Sequence, residues 1–272
     1  MRKLIFALAL PLAACATAPQ PASPPCRVSD ATINATLWMQ TSAEYKAITR
    51  EIYETADRNL DAAIADKSWT AATEQKSVDA SMPPAIILDL DETVIDTSGH
   101  QTQLIRENLE YSEEHWHNWA MHDASNAIEA AKDFLLDAQK KGVAIFYVTN
   151  RRNTEEEPLR ATLSRIGVPL TADNVLTRGA REEWKSSDKS PRRAFVATKY
   201  RVIMLFGDDL NDFAPANGKS LAERDAIVAS HANDWGTKWY AIPNPVYGSW
   251  ERAVTGDTKG CDQVKKKIDT LR

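Results

Sequence analysis

Strands alternating with helices along this chain, and three of those strands ending in clusters of polar side chains, predict an α/β fold: a doubly wound (Rossmann-like) parallel sheet with a helical cap subdomain. The pivotal stretch is Ala85-Ile-Ile-Leu-Asp89-Leu-Asp91-Glu-Thr93, a short apolar run bounded by Pro83 and Pro84 that ends in two carboxylates. It reads as a buried parallel strand delivering acids to the carboxyl edge of a sheet, where open α/β folds place their sites.

The 272 residues, 43% of them hydrophobic, suffice for a large core in one elaborated domain or in two. The net charge is -5. Nothing therefore suggests binding of a nucleic-acid polymer, or of an anionic membrane through a basic surface, and an anionic substrate would need local positive groups or a metal.

At the amino terminus Arg2-Lys3 precedes an apolar run to Leu12, too short to span a bilayer and laid out like a secretory signal. Its Leu12-Ala-Ala-Cys15 ending is similar to a bacterial lipobox, which implies cleavage after residue 14, lipidation of Cys15 and insertion of the acyl chains into a bilayer. An ordinary cleaved signal with Cys15 as a bystander is the other reading. Ala16 after the cysteine favours the outer membrane of a bacterial cell envelope. Residues 15–26, Pro-rich and uncharged, form the expected lipid-anchored tether. Cys26 and Cys261 then remain in an oxidising compartment, either paired and tying the termini together or left as two free thiols.

From Asp30 to Asp66 the period is helical, with Tyr45, Ile48, Ile52, Ala56, Leu60 and Ile64 on one face and Thr41 with Glu44 as a capping box. After the pivotal strand, residues 94–126 are helical or irregular and rich in aromatics and histidines. His100, His115, His117 and His122 match no familiar metal motif, and the segment reads as a packed, partly substrate-facing cap. Residues 27–80 and 94–126 are thus expected to build the cap, and 81–93 with 127–272 the α/β core. Within that core Asn126–Lys141 reads as a helix ended by Gly142, and Val143–Val148 as a second buried strand running into Thr149-Asn-Arg-Arg152. A further helix starts at Glu155–Glu157 and stops at Gly167; Arg201–Phe206 is a strand leading into Gly207-Asp-Asp-Leu-Asn-Asp-Phe213, and Trp239–Ile242 is the last strand.

Parallel strands bring their carboxyl ends together, so Asp89, Asp91, Thr149, Asp208 and Asp212 should meet in one crevice. Four carboxylates at close quarters repel one another unless a cation sits among them, and a hard ion with oxygen ligands, most simply Mg²⁺, resolves the conflict. Asp89 can attack phosphorus as a nucleophile. Asp91 can protonate the leaving oxygen and later activate water, since two adjacent carboxyls separate their pKa values. Thr149 and a downstream lysine can hold the phosphoryl oxygens.

Asp89-Leu-Asp-Glu-Thr93, Val148-Thr-Asn-Arg151, the lysine of Ser187-Asp-Lys189-Ser and Gly207-Asp-Asp-Leu-Asn-Asp-Phe213 resemble the four motifs of the haloacid dehalogenase superfamily. With Ser42-Ala-Glu-Tyr-Lys46, Pro243-Asn244, Tyr247-Gly248 and Trp250-Glu251, the chain more narrowly resembles the class C acid phosphatases, the lipoprotein e group of bacterial outer-membrane 5'-nucleotidases. The resemblance covers essentially the whole mature chain. It implies Asp89 as nucleophile and metal ligand, Asp91 as acid/base and carbonyl ligand, Asp208 as metal ligand, and Thr149, Asn150 and Lys189 as phosphate holders. Asp212 would stand behind the ligands, acting on water at the metal or orienting Lys189. Lys185 is the alternative lysine, but Lys189 with Arg192 fits the family's Lys-x-x-Arg spacing. Two positions depart from the pattern. Asp209 replaces an asparagine near the substrate's sugar, and Gly99-His100-Gln101 replaces a Pro-Tyr-Gln-like segment, exchanging a base-stacking aromatic for an imidazole. Trp116 and Tyr247, with His100 and Asp209, are the candidate cleft residues, although aromatics of this kind serve equally as core.

The implied activity is Mg²⁺-dependent hydrolysis of small phosphomonoesters, foremost nucleoside 5'-monophosphates. Sugar or aryl phosphates are the alternative substrates, and a catalytically idle surface-binding lipoprotein the alternative of another class. The oligomeric state is open, a homodimer being one option.

Overall fold

The computed structural model describes residues 26–272; the expected signal peptide, Cys15 and all of the tether but Cys26 lie outside the described residues. Five parallel strands form the main sheet: β1 (Pro84–Leu88), β4 (Ala144–Arg152), β5 (Val175–Arg178), β6 (Arg201–Gly207) and β7 (Trp239–Ala241), in the order β5-β4-β1-β6-β7. Central β1 pairs on one side with β4, Leu88 opposite Tyr147, and on the other with β6, Leu88 opposite Phe206. Strands covered on both faces need apolar residues at every position, and all seven residues of β6 are buried. A second, two-stranded antiparallel sheet pairs β2 (Ile95–Asp96) with β3 (Asn126–Ala127).

One sheet face is covered by α2 (Ala43–Ala65) and α5 (Glu129–Lys140), with α6 (Glu156–Ile166) alongside. The Tyr53 ring of α2 stacks on Phe206 at 5.3 Å and 6°, and Leu60 and Ala63 are fully buried in the same cluster. The other face is covered by α7 (Ser190–Ala197), α8 (Leu221–Ser230) and the segment around Ala71 and Ala72, with Trp184, Phe213 and Trp239 filling the layer.

The expected division into cap and core is redrawn here. Of residues 27–80, only the first part, a 3₁₀ turn at Val28–Thr32 and α1 (Ile33–Thr41), packs with the cap helix α3 (Ser98–Glu107); α4 (Glu113–Ala120) completes that layer. Residues 43–80 belong to the core, because the apolar stripe of α2 faces the sheet. The single long helix is in fact broken at Ser42, which is extended (φ -75°, ψ 141°) and whose hydroxyl accepts the Tyr45 N–H at 3.0 Å. Thr41, the expected cap, instead donates its hydroxyl to the Leu37 carbonyl at 2.7 Å. Asn126 and Ala127, expected to be helical, form β3.

At the far end α9 (Ser249–Thr255) and α10 (Gly260–Thr270) close the chain, and Cys26 and Cys261 are joined in a disulfide with a Cα–Cα distance of 5.9 Å. The termini are therefore tied across the cap side of the cleft.

If α2 is part of the core, Leu60→Ala should cost about 2–5 kcal/mol in urea unfolding, as for other fully buried leucines. A cost near zero would put α2 outside the cooperative core.

Candidate active site

The loop after β1 carries the first acids. The Asp89 N–H donates to the Phe206 carbonyl at 3.0 Å, and the Leu90 carbonyl accepts N–H groups from Thr93, Val94 and Ile95, winding the chain into a tight knot. Glu92 sits in the left-handed region at φ 55°, uncommon for a residue with a Cβ. Its buried carboxylate accepts the Thr97 hydroxyl at 2.5 Å and the Thr97 N–H at 3.1 Å, and its other oxygen accepts the Tyr247 hydroxyl. Burial, then Asp91 close by, holds Glu92 well above the usual carboxylate range.

Asp89, Asp208 and Asp212 bring carboxylate oxygens within 4.8 Å of one another. Lys189, on the approach to α7, places Nζ 2.5 Å from both Asp89 Oδ1 and Asp212 Oδ1. Burial works to discharge this ammonium, but Asp212 and Asp89 outweigh it and raise its pKa. Burial lifts Asp208 well above its ordinary value, with Asp89 and Asp212 adding to the effect, while Asn244 Nδ2 donates to Asp208 Oδ2 at 2.8 Å. Burial likewise lifts Asp212 to about 7, Lys189 pulling against it. Two buried carboxylates, Asp89 and Asp212, and the half-buried Asp208 face one ammonium, a surplus of negative charge, and their all-oxygen donor set suits a hard divalent cation. Asp212, expected behind the ligands, contributes an oxygen to the cluster itself. The Asp91 carboxylate stands apart from it: Arg151 Nη2 and Nε donate to its Oδ1 at 2.7 and 3.0 Å. Burial raises the Asp91 pKa against the pull of that guanidinium.

Of the two candidate lysines, Lys189 lies in the acidic cluster, whereas exposed Lys185 pairs with Glu182 at the surface. Asn150 lines the cleft. Thr149 lies just behind that wall, fully buried, its hydroxyl accepting the Arg151 N–H at 3.1 Å and its carbonyl accepting from Arg192 Nη1. Arg192 Nη2 also donates to Asn150 Oδ1 at 2.7 Å, so this buried arginine fixes the strand end. Arg151, Asp123 and the role of Glu92 were not foreseen. The signal for Arg151 and Glu92 was their place inside the motifs; nothing local marked Asp123.

These groups line a cleft of about 820 Å³ that also includes His100, Trp116, Asp209 and Tyr247. Two of the four are engaged by the protein's own groups. Asp209 turns its carboxylate onto neighbouring donors. Its Oδ1 accepts the Asn211 N–H, Asn211 Nδ2 and the Ser249 hydroxyl at 2.9, 2.8 and 2.7 Å, and its Oδ2 accepts the Ser249 N–H at 2.6 Å, pinning the Tyr247–Ser249 turn. His100 is only 1% exposed, wedged against Trp116, Trp119 and Tyr111, and neither ring nitrogen has a hydrogen-bond partner among the described residues. Burial, reinforced by His115 and Arg151, pushes its pKa down to about 4.

Gly207 has no room for a side chain, because a Cβ there would overlap Cβ and Oδ2 of Asp212. Gly207→Ala should therefore displace Asp212 and lower phosphate release by about a hundredfold or more, against a far smaller change in the thermal midpoint. His100 gives a pH signature. The native state keeps the ring neutral down to about 4 while the unfolded chain takes up a proton below its ordinary 6.5, so stability is lost as pH falls between those values. In His100→Phe the unfolding free energy should fall less steeply than in the wild type over that interval; parallel curves would rule out a buried neutral imidazole.

The chain resembles two solved structures of the class C acid phosphatase from Bacillus anthracis. One, with tungstate bound, is 30% identical, and the other is 31% identical; each has a TM-score of 0.79 over 91% of this chain and 99% of the other. The fold class and the four-motif resemblance read from the sequence agree with that likeness. The family described as the HAD superfamily, subfamily IIIB (acid phosphatase), matches residues 10–250. The acidic cluster at the ends of β1 and β6 thus lies in a phosphomonoester hydrolase, and the chain belongs to the HAD subfamily IIIB acid phosphatases.

Proposed function

We propose that this enzyme hydrolyses small phosphomonoesters, nucleoside 5'-monophosphates foremost, with Mg²⁺ at the aspartate cluster and through phospho-Asp89. The observation that carries the reading is the pairing of one buried carboxylate, Asp89, with Lys189 in the acidic cluster while a second, Asp91, is held separately by Arg151. Two carboxyls in unlike surroundings can take unlike roles. The tungstate found on the Bacillus anthracis relative, a tetrahedral oxyanion like phosphate, is in keeping with such a site.

In the first step an oxygen of Asp89 attacks phosphorus, the bond to the leaving oxygen breaks, and Asp91 supplies the proton that oxygen needs. In the second, water gives a proton to Asp91 and attacks phospho-Asp89, releasing inorganic phosphate and restoring Asp89 as a carboxylate and Asp91 as the protonated acid. Lys189 and the amide of Asn150 balance charge on the phosphoryl oxygens, while burial excludes competing water. A divalent cation held by Asp89, Asp208 and Asp212 would neutralise the carboxylates and polarise a phosphoryl oxygen. Tyr247 and Trp116 offer flat apolar faces on the cleft wall, which favours a planar base on the substrate. We further propose that the enzyme is carried on the outer membrane of a bacterial cell envelope by lipid on Cys15, a reading supported by the Leu-Ala-Ala-Cys sequence alone.

Phosphate release from a panel of nucleoside, sugar and aryl phosphates, with and without chelator, tests the function. Chelation should abolish turnover of every substrate and Mg²⁺ restore it, with nucleotides showing the highest kcat/KM. Asp89→Asn should lower turnover at least about a thousandfold for all of them. Near wild-type turnover in that variant would remove Asp89 as the nucleophile.

A further inference from the structure

Arg151 lies at the carboxyl end of β4 with no exposed surface, between two carboxylates. Its Nη2 is 2.7 Å from Asp91 Oδ1 and 2.9 Å from Asp123 Oδ2, and its Nε is 3.0 Å from Asp91 Oδ1. Asp91 Oδ2 receives only a long contact of 3.3 Å from Nε. The two oxygens of Asp91 are therefore unequal: Oδ1 is anchored by two good donors, while Oδ2 keeps capacity to hold a proton. The Asp91 side chain is 16% exposed and lines the cleft, so it is fixed from behind and open in front.

The guanidinium is itself immobilised. Its carbon lies 5.2 Å from the centre of the Trp116 ring and 5.8 Å from that of Trp119, both on the cap helix α4, and Asp123 lies in the turn that follows. A planar fork gripped in this way sets the plane and rotation of the carboxylate it binds, which a lysine's single ammonium cannot do.

We infer that Arg151 is the positioning residue for proton transfer to the leaving group, anchoring Asp91 Oδ1 so that Oδ2 is presented to the oxygen departing from phosphorus. The inference rests on the proposed role of Asp91 as the acid. As the P–O bond breaks, its electron pair goes to the leaving oxygen and the proton passes to it from Oδ2. Asp123 and the two indoles hold the fork in register. They also make the cap part of the acid's support.

The discriminating property is the leaving group. An alkoxide needs a proton as it departs, whereas p-nitrophenolate leaves without one, and kcat/KM reports the steps through that departure. In Arg151→Lys, kcat/KM for glycerol 2-phosphate should fall about 10- to 100-fold while that for p-nitrophenyl phosphate changes less than about threefold, a partial loss of the roughly 10²- to 10⁴-fold that general acid catalysis contributes. Asp123→Asn, which leaves both Arg151 and Asp91 in place, should show the same selectivity at smaller size. Equal losses for the two substrates would mean a merely structural arginine, and no loss would mean an idle one; either overturns the inference. If Arg151→Lys gives no cooperative thermal transition, Asp123→Asn decides on the same criteria. Asp91→Asn separates the two readings. If that variant lacks the selectivity, the acid assignment fails; if it has the selectivity and neither of the others does, only the role of Arg151 fails.

Discussion

Three carboxylates, Asp89, Asp208 and Asp212, are packed within 4.8 Å of one another in a buried crevice with one ammonium for company. Such an arrangement is unfavourable in itself, and it persists only because the surrounding fold fixes every member. Asp89 and Asp208 follow directly from the ends of two hydrogen-bonded neighbours, β1 and β6, whose residues are buried on both faces and have no freedom to spread. Asp212 folds back over Gly207 into space that any side chain would fill. Lys189 enters from the approach to α7, and Arg193 ties that helix to the carbonyl of Asn211 at 2.7 Å, next to Asp212. The lysine and the acid it contacts are thus braced by the same arginine.

The second acid is isolated from this cluster by partners of its own. Asp91 shares a motif with Asp89 yet faces Arg151 and, through it, Asp123 and two tryptophans of the cap. The two carboxylates therefore face different cations, an ammonium that Asp89 shares with Asp212 and a guanidinium that Asp91 shares with Asp123. Their separation follows from the chain: residues two apart in a strand would share a face, but both acids lie beyond the end of β1, in the tight turn closed on the Leu90 carbonyl. Division of labour between neighbouring carboxyls is thereby built into the backbone.

The parts of the fold legible in the sequence are those written in consecutive residues. Ala85–Leu88, Val143–Val148 and Val202–Phe206 are unbroken apolar runs, as doubly covered parallel strands must be, and the polar residues after them carry the motifs. β5 escaped notice because its four residues, Val-Leu-Thr-Arg, make no run long enough to stand out. The break at Ser42 carries no glycine or proline to mark it, and helical residues lie on both sides of it. The fates of His100 and Asp209 were beyond reach for another reason: imidazole burial depends on tryptophans 16 and 19 residues away, and the four donors to Asp209 include a serine 40 residues further on. Local pattern carries secondary structure; which polar group a side chain spends itself on is decided by long-range packing.

Glu92 joins these separate pieces. It is held left-handed, a conformation that costs on the order of 1–3 kcal/mol for a residue with a Cβ and survives only where neighbours over-determine it. Those neighbours are Thr97, one residue before cap helix α3, and Tyr247, in the turn that Asp209 pins from the other side. One buried carboxylate thus connects the Asp89–Thr93 loop, the start of α3 and an aromatic face of the cleft. Moving Tyr247 would release Glu92, and releasing Glu92 would relax the knot that aims Asp89 and Asp91. Tyr247 on the cleft wall and the loop bearing Asp89 and Asp91 are therefore joined through one buried carboxyl, so a change at the rim reaches both acids.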